Sequence, residues 1–173
     1  QRAGRAGREG PGAVYRCCSP VDWARAPQAP TPEILSADLT RVALELAVWG
    51  APGGADLAWI DPPPAPAMEA AHRTLTHLGL LNGGAGASAS PLSATALGRA
   101  VARIPTEVRL ARALLIARGI MGAKRAAEAT ALLSTGLRPP GGDLTALARS
   151  VRDGGTHTGM WRAEARRLER AAE

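Results

Sequence analysis

The chain contains no phenylalanine, one tyrosine and four tryptophans, so aromatic residues make up only 3% of its 173 residues. A β-sandwich core is hard to fill without them. Alanine and leucine must build the interior instead, which points to closely packed helices. Lysine is almost missing as well: Lys124 is the single one, and every other basic side chain is an arginine. The two cysteines, Cys17 and Cys18, are neighbours. They offer neither a spaced disulfide framework nor a CxxC-type metal spacing, and a reducing cytoplasm is the expected setting. No run of about 18 apolar residues occurs, so no membrane-spanning helix is expected. No charged-then-apolar leader opens the chain. Without an initiator Met, and beginning inside a motif, it is expected to be a fragment of a longer protein.

What the sequence does have is arginine, unevenly spread within a net charge of +6. Residues 1–16 hold four arginines against one glutamate, and residues 17–98 hold seven carboxylates against three arginines. Residues 99–125 then carry seven cations against Glu107 alone. Such a segment fits a polyanion partner. The competing reading is pairing with the acidic stretch before it.

The opening run, Gln1-Arg2-Ala3-Gly4-Arg5-Ala6-Gly7-Arg8, places three arginines at spacing three between small residues. Small spacers let a charged ligand approach the backbone, and the planar guanidinium suits phosphate oxygens better than an ammonium does. Phosphoryl transfer needs such donors where negative charge develops.

Along the rest of the chain, Glu9-Gly10-Pro11-Gly12 is a turn signal, and Ala13–Cys18 reads as a short strand. Residues 20–32 carry four prolines and read as a linker. Leu35, Leu39, Val42, Leu46 and Trp49 recur on one helical face, with Thr31 or Ser36 as cap, and predict a core helix stopped by Gly50. After the stiff Pro62-Pro63-Pro64 joint, Met68, Ala71, Leu75 and Leu78 mark a helix ending at Gly79. Short extended pieces at 80–82 and 92–93 flank a Gly/Ala/Ser loop. Helix, strand, small-residue loop and strand form the layout of a winged helix. Further helices follow: Leu97, Val101 and Ile104 on one face; a helix capped by Thr106 carrying Leu110, Leu114 and Leu115; an alanine-rich helix over 123–134; a short one capped by Asp143; and a last one from Thr158 with Trp161, Ala165, Leu168 and Ala172 as its stripe. The tryptophans read as core or joint anchors rather than stacking platforms. His72, His77 and His157 have no ligand-like spacing, and no metal ligands are expected.

The opening run resembles the last conserved motif, motif six, of DEAH-box ATP-dependent helicases. Thr31-Pro32-Glu33-Ile34-Leu35, the Leu-rich helix, Trp59-Ile60-Asp61-Pro62-Pro63 and Leu78-Gly79-Leu80-Leu81 resemble the winged-helix segment of that family. Leu97-Gly98-Arg99, Ile104-Pro105 and Arg109-Leu110-Ala111 resemble the junction with the helical bundle that follows. The wording is most similar to the bacterial HrpB-like subfamily, through to Trp161-Arg162-Ala163-Glu164-Ala165-Arg166-Arg167-Leu168. Two stretches depart from it: the loop at 83–90, and Leu133–Gly136, which lacks the expected charges.

The resemblance implies a mainly α chain. It would comprise the end of a RecA-like α/β domain with its linker (1–30), a winged-helix domain (31–98) and a ratchet-like helical bundle (99–173). It implies that Arg5 and Arg8 are arginine fingers toward the γ-phosphate, that Gln1 helps hold the attacking water or the phosphate, and that Arg2 and Gly4 belong to the nucleotide-binding motif. Arg99, Arg103, Arg109 and Arg112 are then the candidate contacts to a single strand, RNA favoured over DNA. ATP and Mg²⁺ would be bound mainly by upstream RecA-like domains of the same parent. A GxxxxGK[ST] loop and a DEAH run do not occur here, so the fragment alone is expected to be inactive. The alternatives are a stand-alone winged-helix nucleic-acid-binding regulator with a basic arm, and a structural remnant without activity. Against the regulator, helix 66–78 offers only Arg73 and two histidines for groove reading.

Overall fold

A computed structural model describes residues 3–27, 29–54, 56–83 and 92–173. They fall into two compact units, Gln1–Pro32 and Glu33–Glu173. In the first, a 3₁₀ turn at Ala3–Arg5 leads into irregular chain and one short helix, α1 (Pro20–Arg25). Residues 13–18, expected as a strand, are irregular and exposed. An extended segment becomes a strand only by pairing, and no ladder partner for it lies among the described residues. The expected linker is partly ordered instead. Ser19 caps α1 by accepting from the Asp22 N–H at 3.1 Å, and Pro20 occupies the first turn, where no N–H is needed.

The second unit is helical apart from one small hairpin. Its elements are α2 (Thr40–Trp49), α3 (Ala65–His77), β1 (Leu81–Asn82), β2 (Ser93–Ala94), α4 (Ala96–Arg103), α5 (Val108–Met121), α6 (Ala123–Ser134), α7 (Leu144–Arg152) and α8 (Thr158–Ala171). Strands β1 and β2 pair antiparallel, Leu81 opposite Ala94 and Asn82 opposite Ser93. The loop between them, at 84–91, lies outside the described residues. Helices α2, α3 and α4 pack together with the hairpin; α5, α6 and α8 pack in turn, α7 lies on α6 and α8, and α4 meets both groups.

Helix α2 starts later than its apolar spacing suggests. Residues Glu33–Leu35 form a separate 3₁₀ turn, and Asp38 takes the capping role by accepting from the Thr40 N–H at 2.7 Å and its hydroxyl at 2.5 Å. Leu39, Ala43, Leu44, Leu46 and Ala47 are buried, whereas Leu35 and Trp49, expected in the core, are 45% and 84% exposed. With the start at Thr40, the buried face is centred on Ala43 and Ala47, and Trp49 falls beside it at the last turn. Gly50 ends the helix in the left-handed region, φ 96°, as its position suggested. Helix α3 buries Met68, Ala71 and Leu75 as expected.

Thr95 fixes the start of α4. Its hydroxyl oxygen accepts from the Gly98 N–H at 2.9 Å, and its own O–H donates to the Gly79 carbonyl at 2.9 Å. Gly98 is needed there because a Cβ would lie 2.1 Å from the Leu80 carbonyl oxygen, a backbone atom that cannot step aside. Helix α5 begins at Val108 behind Glu107, without a side-chain cap. Thr106, the expected cap, instead lends its carbonyl to Arg41. Gly122 ends α5 and opens α6 at once, giving a tight helical hairpin. Asp143 caps α7 as expected, accepting from the Thr145 N–H at 2.8 Å. Trp161, Ala165 and Leu168 on α8 and Ala172 at its C-cap are buried, and the Trp161 indole donates to the Glu128 carbonyl at 3.0 Å.

One side chain holds the middle of this unit. Arg41, on α2, donates to the carbonyls of Ala102 (2.7 Å), Ile104 (2.9 Å) and Thr106 (3.3 Å) and pairs with Glu45 at 2.6 Å. The first two are carbonyls left without helical partners at the end of α4. A second joint runs from Arg167 on α8, which donates to the Pro105 carbonyl at 2.8 Å and pairs with Glu164 at 2.7 Å. The Arg167 hydrogen bond, aided by its charge and by Ser134, holds the Glu164 carboxyl below the ordinary range against the opposing effect of burial.

Replacing Arg41 with Ala is expected to cost about 2–3 kcal/mol in urea unfolding, because three carbonyls lose a charged donor. Lysine should recover less than half of the loss, since one ammonium cannot span the fork. Glu164 contributes stability above the ordinary carboxylate range, and that contribution is lost as pH falls through its lowered folded value. Glu164→Gln should therefore cost about 0.5–1 kcal/mol at pH 7, screened by water at the pair. Its unfolding free energy should also decline less steeply than that of the unaltered chain on acidification.

Candidate functional site

In the first unit, Gly4 and Arg5 lie in and at the end of the 3₁₀ turn and are exposed, as is Arg8. Gln1 and Arg2 lie outside the described residues. The chain then folds back tightly: Gly7 has φ 90°, and a Cβ on Gly12 would lie 2.6 Å from the Gly7 nitrogen. Only glycine fits that approach. The fold-back brings Arg5 and Arg8 to one open depression of about 530 Å³, lined also by Gly7, Glu9, Gly10 and Pro11. Two guanidiniums over a glycine backbone suit an anion with several oxygens, and Glu9 moderates the charge. Farther along, the Arg16 guanidinium lies 4.1 Å from the Trp23 ring centre, a cation–π pair. Cys17 and Cys18 are exposed free thiols.

The basic segment of the second unit divides in two. Arg99 donates to the Ala94 carbonyl at 2.6 Å, and Arg112 donates through Nε to the Leu78 carbonyl at 2.8 Å. Arg118 donates to the Ala172 carbonyl at the end of α8. These three are in part structural, tying α4 to β2, α5 to α3 and α5 to α8. Arg103 and Arg109 are exposed, and neither has a hydrogen bond or ion pair among the described residues. They do not share a depression. Arg109 lines one of about 440 Å³ with Asp38, Arg41 and Val108. There Thr40 hydrogen bonds, and to a lesser extent the charge of Arg109, hold the Asp38 carboxyl low against burial. That is a trace of the acidic pairing which competes with a polyanion partner. Arg103 lines another depression, of about 370 Å³, with Glu45, Val48, Trp49, Arg99 and Ala102.

Sequence patterns missed two features. Arg41 gives no signal beyond its four-residue spacing to Glu45, because its partners are carbonyls some sixty residues away. Lys124, Arg152, Arg162 and Arg166 gather around a depression of about 750 Å³ over α6 and α8, tempered by Glu128 and Glu169. Arg152 pairs with Glu128 at 3.7 Å. On α3, the one arginine, Arg73, lies exposed with Glu69 at 3.8 Å, so that helix is poor in groove-reading donors. His72, on the same helix, is half-buried, and burial lowers its pKa. No helix among the described residues is long and apolar enough to cross a membrane.

No protein-family model matches the chain. It is 37% identical over 144 residues to the ATP-dependent RNA helicase HrpB of Escherichia coli, a match covering 83% of this chain and 17% of that protein. It is 34% identical over 115 residues to the ATP-dependent RNA helicase HrpA of the same organism, covering 66% of this chain and 9% of that protein. A crystal structure of the E. coli DEAH/RHA helicase HrpB superposes with a TM-score of 0.74 at 29% identity, over 98% of this chain and 20% of that one. The chain thus spans about a fifth or less of the relatives it matches. Sequence and fold agree that it is homologous to the C-terminal region of the DEAH-box RNA helicases, of the HrpB type.

Proposed function

We propose that the chain is the part of an HrpB-like, ATP-dependent nucleic-acid helicase that begins at motif six. On this reading residues 1–30 end the second RecA-like domain, residues 31–98 form a winged helix, and residues 99–173 form most of a ratchet-like bundle. The upstream RecA-like domains would carry the P-loop and the DEAH run and bind ATP with Mg²⁺. The observation that carries the proposal is the match to one protein in both sequence and fold: 37% identity over 144 residues and a TM-score of 0.74.

The first unit fits the terminal phosphate of such a nucleotide. Arg5 and Arg8 are exposed side by side, and the Gly7–Gly12 approach keeps bulk away from the backbone beside them. Bound ATP would supply the phosphoryl group for hydrolysis. The role of Arg5 and Arg8 is to present positive charge where the γ-phosphate oxygens gain negative charge, while Gln1 orients the water or the phosphate. In the second unit Arg103 and Arg109 have charge to spare for phosphates, and Arg99 and Arg112 add theirs from fixed positions. Together with the winged helix they would guide a single strand, RNA rather than DNA. A stand-alone regulator fits less well, because α3 offers Arg73 as its one arginine, with Glu69 of opposite charge beside it.

In the full-length protein, Arg5→Ala or Arg8→Ala should lower nucleic-acid-stimulated ATP turnover by about 10³–10⁵-fold while nucleotide affinity changes little. Unchanged turnover in both would end the assignment. For the strand, a salt titration of single-strand affinity should lose about 0.7 from its log–log slope with Arg103→Ala and again with Arg109→Ala.

A further inference from the structure

We infer that Trp49 is a base-stacking platform, with Arg103 and Arg99 in the same depression to hold the adjoining phosphates of a single strand. The inference rests on the strand-guiding role just proposed and names the contact that holds the bases. Trp49 ends α2, a helix whose other large side chains are largely turned inward, yet its indole is 84% exposed. An indole has the largest apolar surface of any side chain, so leaving it in water forgoes stabilisation that the core could have had. Val48 beside it is 40% exposed, which widens the apolar face.

The surroundings identify the occupant. Arg99 and Arg103 are one turn apart on α4 and line the same depression of about 370 Å³ as Trp49 and Val48. The one carboxylate there, Glu45, is paired with Arg41 at 2.6 Å, so its charge is largely answered from the other side. The Arg99 bond to the Ala94 carbonyl holds that guanidinium at the rim. Arg103, without a hydrogen bond or ion pair among the described residues, can swing to meet a ligand. A bare aromatic face with cations beside it is what sequence-tolerant binding of single strands requires: bases stack and phosphates pair. A duplex offers no such fit, because its base faces are already stacked. The volume suits a nucleotide-sized group.

The test measures affinity of the full-length protein for a short fluorescein-labelled oligouridylate by anisotropy, across a salt series. Trp49→Ala should weaken binding by about 5- to 150-fold with the salt slope unchanged, because stacking displaces no counterions. Trp49→Phe should recover most of the loss, whereas Trp49→Leu should not. Recovery by Leu equal to that by Phe would identify an apolar contact with another part of the protein and overturn the inference. So would unaltered binding in Trp49→Ala while Arg103→Ala still lowers the slope, an outcome that leaves the strand-guiding role intact. If neither Trp49→Ala nor Arg103→Ala changes affinity or slope, both readings fall together.

Discussion

A guanidinium inserted among the carbonyls at the end of α4 governs how the larger unit holds together. Arg41 reaches Ala102, Ile104 and Thr106 while Glu45 steadies it from behind. Helix ends leave carbonyls without partners, and burying them unmet is costly. One fork of donors meets three at once. It does so where the hairpin-bearing helices give way to the bundle, so the orientation of α4 between the two groups depends on a contact that no apolar residue could replace.

The same device recurs elsewhere. Arg112 ties α5 to the end of α3, Arg118 ties α5 to the end of α8, and Arg167 ties α8 to the turn after α4. A chain without phenylalanine, whose interior is mostly alanine and leucine, has little bulk with which to wedge its helices. Arginine fills that gap, covering apolar surface with its stem while its planar head bonds across elements. The arginine excess therefore serves two purposes. Some guanidiniums are structural, and those left over face solvent and give the surface its charge.

That division explains where sequence patterns succeeded and where they failed. Helices α3, α6, α7 and α8 were legible because their apolar period and their Gly or Asp boundaries agree. The hairpin was legible from extended pieces on either side of small residues. Helix α2 begins five residues later than its spacing implies: Glu33–Leu35 closes as a separate 3₁₀ turn, and Asp38 accepts from the Thr40 N–H at the new start. A period cannot tell a buried indole from one at the edge of the face, and Trp49 was misjudged for that reason. Residues 13–18, expected as a strand of a sheet whose other strands lie outside this chain, are irregular here, because a strand forms only against a second segment. In the candidate site, Arg5 and Arg8 stand three residues apart and line one depression. The ties of Arg99 and Arg112 were not legible, because carbonyl partners leave no mark in a sequence.

Trp161 closes α8 against α6 almost entirely out of water, with its indole N–H on the Glu128 carbonyl. Trp23 and Trp49 are largely in water, and Trp59 is only partly covered, bonded to Gly54. The emission of the chain should thus divide between a blue-shifted component from Trp161 and red-shifted components from the exposed indoles. Any event that prises α8 from α6 will appear as a spectral displacement without an added label, giving the bundle a built-in optical gauge of its own closure.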